Sequence, residues 1–215
     1  MRSLFCIILL CVSTVLYGYN TQRIMAELQS HFDLIEYFYA DIVLETSGTG
    51  KVRKQTGNIV FKEGDGTIFR LDGATPMEVQ IKENGDMYFN GIKQATTDKP
   101  GQTHQLGDIY FIELLRGFDI EVEREDDNYV YLTGYDKSSR IERKRLLNAN
   151  YNKSLKVIDR VRYIGQEYDY PYDIRIKYKS YDGIPIVESL STIVSAFSVT
   201  LNSTMRFDNI QIDRK

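Results

Sequence analysis

The sequence has few of the residues that most catalytic and metal sites use. Its 215 residues include two cysteines, two histidines and no tryptophan. Because Cys6 and Cys11 both lie in the apolar N-terminal segment, His31 and His104 cannot assemble the usual zinc ligand set. No Gly-x-Ser-x-Gly, Gly-x-Gly-x-x-Gly or Gly-x-x-x-x-Gly-Lys pattern occurs. We therefore expect a protein that is not an enzyme and that needs no metal or other cofactor.

The sequence also lacks a hydrophobic run long enough to cross a bilayer. Its longest largely apolar run, residues 4–16, follows Arg2 and precedes the small residue Gly18. This run is shorter than the roughly 20 residues that a membrane-spanning helix needs. The arrangement is typical of a signal peptide over residues 1–18, cleaved near Gly18, which leaves residues 19–215 as one exported domain without cysteine. The absence of disulfides is compatible with a bacterial periplasm and uncommon for a small eukaryotic secreted domain. An uncleaved anchor and a lipid-modified Cys11 are the alternatives.

An excess of positive charge is missing as well. The chain has 27 basic and 30 acidic residues, a formal net charge of −3, which argues against nucleic-acid binding. Carboxylates cluster at Glu121, Glu123, Glu125, Asp126 and Asp127. Such a cluster could serve glycoside hydrolysis or weak calcium binding, although alternating acids on a strand are typical of a solvated face. The basic run 141–146 indicates a solvated strand face or a docking patch for an acidic partner or lipid headgroup.

Short strands separated by turns dominate what is present. Within residues 57–90, apolar stretches alternate with turns that contain Gly, Asp and Asn, which predicts an antiparallel meander with one apolar face. The predicted strands are 38–45, 51–62, 68–71, 79–81, 87–90, 120–124, 129–133, 140–147, 155–164, 173–181, 184–195 and 198–212. Strand alternation then assigns ten inward-facing residues: Phe38, Ile42, Leu44, Ile59, Phe61, Phe69, Leu71, Val79, Ile81 and Phe89.

Two helices complete the prediction. Residues 21–37 carry apolar side chains at three- and four-residue steps, which predicts an amphipathic helix that is broken or loosened near residues 30–33. Residues 109–118 lie between Asp108, a candidate N-cap, and Gly117, a candidate C-terminal stop. Because this short helix is apolar over most of its surface, we expect other elements to cover it on several sides.

Tyrosine and phenylalanine are abundant, with 16 and 10 copies respectively. Six tyrosines cluster in the last third of the chain: Tyr163, Tyr168, Tyr170, Tyr172, Tyr178 and Tyr181. Tyrosine-rich strands either line a ligand site or interface, or form part of a β core with their hydroxyl groups reaching water.

The order of these elements resembles that of the periplasmic outer-membrane lipoprotein carriers, the LolA-like proteins. Three segments carry the resemblance. The N-terminal helix leads into strand 38–45, which has a small residue between aromatic residues. The glycine-led strand 56–62 is followed by a return strand and by the hairpin 84–90. The apolar helix 108–118 stands where that family has a lid.

The resemblance implies a mainly β (α+β) fold, a strongly curved incomplete antiparallel β-barrel with a few helices covering its open side. The ten inward residues would form a cavity for the acyl chains of lipoproteins or lipids. The lid helix would close over them with Ile109, Phe111, Ile112, Leu115 and Phe118. An inner-membrane release complex and an outer-membrane acceptor would be the partners of a monomeric carrier.

One position departs from the family pattern. The family has an Arg-Pro pair after the glycine-led strand, and its arginine ties the lid shut, whereas this chain has Lys62-Glu63-Gly64. Lys62 is the candidate lid latch here, acting as a point charge rather than a planar fork. The alternative to a carrier is a non-enzymatic cell-envelope interaction or scaffold protein with a filled β core.

Overall fold

One antiparallel sheet of thirteen strands dominates the computed structural model. The structure describes residues 19–48, 50–82, 84, 86–94, 111–137, 144–164, 170–196 and 199–215. The strands are β1 (Ile35–Gly48), β2 (Lys51–Lys62), β3 (Gly66–Leu71), β4 (Met77–Ile81), β5 (Met87–Phe89), β6 (Ile92–Lys93), β7 (Phe118–Glu125), β8 (Tyr129–Asp136), β9 (Arg145–Asn152), β10 (Val157–Ile164), β11 (Pro171–Tyr181), β12 (Ile184–Ala196) and β13 (Val199–Arg214).

The strand order brings the two ends of the chain together in the middle of the sheet. It runs β6-β5-β4-β3-β2-β1-β13-β12-β11-β10-β9-β8-β7, so β1 pairs with β13 and the edges are β6 and β7. The sheet does not close between these edges. This confirms the predicted incomplete antiparallel barrel, and it divides the sheet into an N-terminal half (β1–β6) and a C-terminal half (β7–β13).

Bulges and glycines allow the sheet to curve. Register shifts interrupt the pairings β1–β13, β7–β8, β8–β9, β9–β10 and β11–β12. Such bulges bend a strand and increase its twist. Gly57 permits a close approach between neighbouring strands, because a Cβ atom there would lie 1.9 Å from the carbonyl oxygen of Arg70 on β3. Gly134 on β8 is packed against Phe118, Ile120 and Leu147 in the same way.

The first helix, α1 (Thr21–Phe32), is shorter than predicted. Asn20 caps it by accepting a hydrogen bond from the backbone N–H of Arg23 at 2.8 Å. The predicted interruption near residues 30–33 coincides with the end of the helix at Phe32. The predicted continuation of helix to residue 37 was wrong, because the chain turns at residues 33 and 34 and β1 begins at Ile35. The residues after the turn pair with β13 and β2, and this sheet pairing overrides the helical spacing.

The second helix, α2 (Ile112–Arg116), is also shorter than the predicted span of residues 109–118. Ile109 lies outside the described residues. Phe118 begins β7 rather than ending the helix, because it pairs with Asp136 on β8. No helix in the described ranges is both long and apolar enough to span a membrane.

Candidate functional site: the inner face of the sheet and its helices

The face of the sheet that contacts α1, here called the inner face, carries the residues predicted to point inward. Residues directly opposite each other in neighbouring strands share a face. Phe38 lies opposite Phe61, and Ile59 lies opposite Phe69. The register continues through the meander and places all ten on one face: Phe38, Ile42, Leu44, Ile59, Phe61, Phe69, Leu71, Val79, Ile81 and Phe89.

Most of these ten residues are buried, and the most exposed of them lies near the edge of the sheet. Seven of the ten are buried: Phe38, Ile42, Ile59, Phe69, Leu71, Val79 and Ile81. Leu44 and Phe61 are half-buried, and Phe89 on the short strand β5 is 43% exposed. The inner face is therefore a continuous apolar surface that is most accessible near β5.

Helix α1 lies on this face and contacts both halves of the sheet. Ile24 and Leu28 are fully buried and belong to the same apolar cluster as the strand residues. At its C-terminal end, the Phe32 ring packs against Phe61 of β2, with the centroids 4.9 Å apart. At its N-terminal end, the Tyr19 ring packs against Tyr151 of β9 at 5.6 Å.

A buried polar contact fixes α1 to the C-terminal half. The Tyr151 side chain is fully buried, and its hydroxyl group donates a hydrogen bond to the Glu27 carboxylate. Burial, reinforced by that carboxylate, raises the pKa of Tyr151. Burial alone would raise the pKa of Glu27, but hydrogen bonds from Tyr151 and from Arg23 (3.0 Å) lower it overall. At neutral pH the Glu27 side chain of α1 is therefore an ionised acceptor for the Tyr151 hydroxyl group of β9.

Further polar contacts tie the start of α1 to β7. The Thr21 hydroxyl donates to the carbonyl oxygen of Ile120 at 3.1 Å. The backbone N–H of Tyr19 lies 3.5 Å from the Glu125 carboxylate, which also pairs with Lys153 at 2.5 Å. The N-terminal end of α1 is thus attached to the C-terminal half by several hydrogen bonds as well as by packing.

Helix α2 covers the same face next to α1. Its Ile112 and Leu115 are buried, while Phe111 and Leu114 are half-buried against the core. Arg116 donates to the Gln29 side chain of α1 at 3.3 Å. Lys137, which follows β8, donates to the carbonyl oxygen of Arg116, where a cation also interacts favourably with the end of the helix.

The predicted latch residue, Lys62, lies elsewhere. It is paired in register with Tyr37, on the face of the sheet opposite to α1, and its ammonium group lies 3.0 Å from the Asp65 carboxylate. The latch role of Lys62 stays a prediction. In the described structure Lys137 donates to a carbonyl oxygen of α2, the helix that the sequence predicted as the lid.

Three of the five clustered carboxylates have lowered pKa values. Hydrogen bonds from Thr133 and then Arg145 lower the pKa of Glu123. Lys153 lowers the pKa of Glu125, and the backbone N–H groups of residues 129 and 128 lower that of Asp126. A glycosidase pair needs one carboxyl group with a raised pKa as general acid, and none of these three supplies it. No group of metal-ligating side chains occurs in the part of the chain that the structure describes.

Several site residues were missed by the sequence analysis, chiefly Tyr151, Glu27 and Lys137. The predicted strands left residues 148–154 between them, although β9 continues to Asn152. The usable signal was alternation: Leu147, Ala149 and Tyr151 face inward, and the asparagines between them face outward.

Solved structures share this architecture. A DUF1329 family protein from Desulfovibrio piger matches with a TM-score of 0.64 at 12% identity, over 89% of this chain and 91% of its own. The LolA superfamily protein NE2245 from Nitrosomonas europaea matches with a TM-score of 0.63 at 12% identity, over 91% and 94%. A domain from Vibrio parahaemolyticus assigned as an outer membrane lipoprotein-sorting protein matches with a TM-score of 0.64 at 9% identity, over 89% and 91%.

No protein-family model and no curated protein matches the sequence. The similarity to the solved structures therefore concerns the three-dimensional arrangement. It confirms, at the level of the fold, the resemblance inferred from the order of the elements. The chain has the LolA-like fold.

Proposed function

We propose that this chain is a periplasmic carrier that holds the acyl chains of lipoproteins or lipids against its inner face and moves them toward the outer membrane. The observation that carries the proposal is the single apolar face formed by the ten inward residues, with α1 and α2 on the same side. Each methylene group buried there would contribute about 0.8 kcal/mol, without any requirement for a particular headgroup. The fold shared with a lipoprotein-sorting domain supports this proposal.

Loading requires space that α1 and α2 partly occupy. Ile24, Leu28 and Leu115 are already buried in the apolar cluster. A bound acyl chain would therefore enter where burial is weakest, near Phe61 and Phe89, and would displace the helices from the N-terminal half of the sheet. Such a lid movement allows tight binding together with release to an acceptor. An inner-membrane donor complex and an outer-membrane acceptor are the partners that this role needs.

The test is the lipid content of two matched variants. Phe61→Glu adds a carboxylate to the inner face. Val60→Glu adds the same charge to the preceding residue of β2, which faces the other side of the sheet. Both side chains are half-buried, so similar folding costs are expected. Mass spectrometry of protein purified from its native envelope should find acyl chains with the wild type and Val60→Glu but not with Phe61→Glu.

Absence of lipid from the wild type would reject the carrier and favour the scaffold alternative. The complete burial of Ile24 and Leu28, two residues of α1, is the observation that favours a filled core. A scaffold would instead retain a co-purifying protein, and its interior would not take up a fluorescent fatty acid.

A further inference from the structure

The face of the sheet opposite to α1, here called the outer face, carries a cleft lined by arginines. The cleft has a volume of about 440 Å³ and lies across β7 to β10. Arg124, Arg145, Arg160 and Arg162 line it together with Asn148 and Asn150. The register explains this arrangement, because Arg124, Tyr131, Asn150, Arg160 and Arg175 form one cross-strand row over five neighbouring strands.

Positive charge exceeds negative charge in this region. The ion pairs join five arginines, Arg124, Arg145, Arg160, Arg162 and Arg175, to three carboxylates, Glu123, Asp126 and Asp173. Among these ion pairs of the described residues, the arginines outnumber the carboxylates by two, on a chain whose net charge is −3. Arg160 and Arg175 also lie directly opposite each other, an arrangement that is unfavourable for like charges.

One carboxylate serves three of these arginines. Asp173 receives two hydrogen bonds from Arg160, at 3.0 and 2.6 Å. Its distances to Arg162 and Arg175 are 3.5 and 3.9 Å, longer than the roughly 2.7–2.9 Å of a charge-assisted hydrogen bond. At the other end of the cleft, Arg124 stacks on the Tyr131 ring at 3.4 Å and lies 3.9 Å from Asp126. The guanidinium groups of Arg124 and Arg162 thus keep donor capacity for an anion.

A second depression adjoins the cleft and adds an apolar surface. It has a volume of about 310 Å³ and shares Arg145, Asn148 and Arg162 with the cleft. Leu146 and Ile193 also line it, and Ile193 is an exposed large hydrophobic residue. Planar guanidinium groups match phosphate oxygens in pairs, and this neighbouring surface would cover a short apolar substituent.

We propose that this outer-face arginine cleft binds a phosphate ester that carries an apolar substituent, with Arg124 and Arg162 as the principal donors to the phosphate. The cleft lies on the opposite face from the proposed acyl-chain surface. The protein would therefore contact a phosphorylated amphiphile at a position independent of its cargo. Such a ligand can be a lipid headgroup or a soluble phosphate ester, and the two sources are separable by experiment.

The experiment is calorimetric titration of the full chain with three probes: dihexanoyl phosphatidic acid, phenyl phosphate, which is a soluble phosphate ester with an apolar substituent, and dihexanoylglycerol, which lacks the phosphate. Saturable binding of phosphatidic acid that weakens with added salt is expected, with no binding of dihexanoylglycerol at this cleft. Phenyl phosphate binding of similar strength would identify soluble phosphate esters as the ligand class. Binding of phosphatidic acid alone would identify a lipid headgroup.

Matched double variants locate the binding. Arg124→Gln with Arg162→Gln should weaken phosphatidic acid binding by at least about tenfold, since each substitution removes charge-assisted hydrogen bonds. The control, Arg70→Gln with Arg206→Gln, removes the same charge from exposed ion pairs outside the cleft. It should change the affinity for phosphatidic acid by less than about twofold. All four arginine side chains are at least 46% exposed, so the unfolding midpoints should stay close to that of the wild type.

Phe61→Glu distinguishes binding at this cleft from binding at the inner face. Because Phe61 lies on the inner face, this variant should retain the phosphate-dependent binding. The proposal is overturned if neither phosphate probe binds the wild type or if both double variants lose affinity equally. It is also overturned if Phe61→Glu abolishes phosphatidic acid binding that the Arg124→Gln, Arg162→Gln protein keeps. If the wild type proved unable to load acyl chains, the carrier proposal would fail, but the outcome of these phosphate-binding measurements would not change.

Discussion

The two halves of the sheet hold α1 in different ways. On the C-terminal half, the helix is attached by Tyr151, Thr21 and the contacts of Tyr19, which combine aromatic packing with hydrogen bonds. On the N-terminal half, the described ring contact is the apolar one between Phe32 and Phe61. Apolar contacts are not directional, so they can slip or reform around a different partner, whereas a buried hydrogen bond is costly to break. The described polar contacts thus fix α1 to the C-terminal half, and we expect its contact with the N-terminal half to break more readily.

The largest expected effect is the loss of Tyr151. Tyr151→Ala removes a fully buried ring and leaves Glu27 without its phenol donor, so we expect a loss of about 3–5 kcal/mol in the free energy of unfolding. Phe61→Ala removes a half-buried ring from the opposite half and should cost less than half as much. Urea unfolding of both variants measures the difference. Equal losses would mean that the two halves hold the helix equally.

The next effect concerns Glu27 and its pH dependence. Glu27→Gln should lower stability by about 1–2 kcal/mol at neutral pH, because Tyr151 and Arg23 lose a charged partner. The pKa of Glu27 is lowered in the folded protein relative to an unfolded value of about 4.3. Its contribution is therefore present above that unfolded value and is lost as the pH falls through the folded pKa.

Unfolding midpoints of Glu27→Gln and the wild type should consequently converge in acid. Glu36→Gln, an exposed substitution on β1, serves as the control and should run parallel to the wild type. A constant gap between Glu27→Gln and the wild type from neutral pH to pH 3 would show that the carboxylate charge has no part in fixing α1.

The smallest effect is expected at the end of α2. Lys137→Met removes the donor to the carbonyl oxygen of Arg116 and should cost under about 1 kcal/mol. Hydrogen exchange of residues 111–117 should nevertheless become faster, because α2 loses its polar contact with β8. Lys62→Met removes one charge from the outer face and is the matched control. If hydrogen exchange of residues 111–117 became faster in Lys62→Met but not in Lys137→Met, Lys62 would be the latch, as predicted. The N-terminal half of the sheet would then be the half that holds α2.

Much of the sheet was predictable, because regular alternation and turn residues coincide in the N-terminal meander. Predicted strand 68–71 lies within β3 (Gly66–Leu71), and predicted strand 79–81 lies within β4 (Met77–Ile81). The inward residues of these strands followed from parity alone, since no bulge interrupts the pairings of β2, β3 and β4. Local pattern and tertiary pairing agree there.

Prediction failed where long-range pairing or bulges decide the structure. The spacing that extended α1 to residue 37 continued into a segment that pairs with β13, more than 170 residues later. In the C-terminal half, the bulge between Val122 and Arg124 changes the face on which later side chains lie. The outer row of arginines depends on these shifts and on the pairing of five strands. The basic run 141–146, predicted as a solvated strand face or a docking patch for an acidic partner or lipid headgroup, contains only one of the described arginines that line the cleft, Arg145.

The pairing of β1 with β13 has a consequence for how the protein reaches its fold. Ile42 pairs with Phe207, so β1 and β12 cannot be joined in the sheet until β13 has been synthesised. Contacts of such large sequence separation slow folding, because loop closure precedes the gain from pairing. Until β13 is in place, β1 and β12 each have one unpaired edge, and such edges can pair with other chains. We therefore expect the N-terminal meander, whose strands pair with their neighbours in sequence, to form before the middle of the sheet is complete.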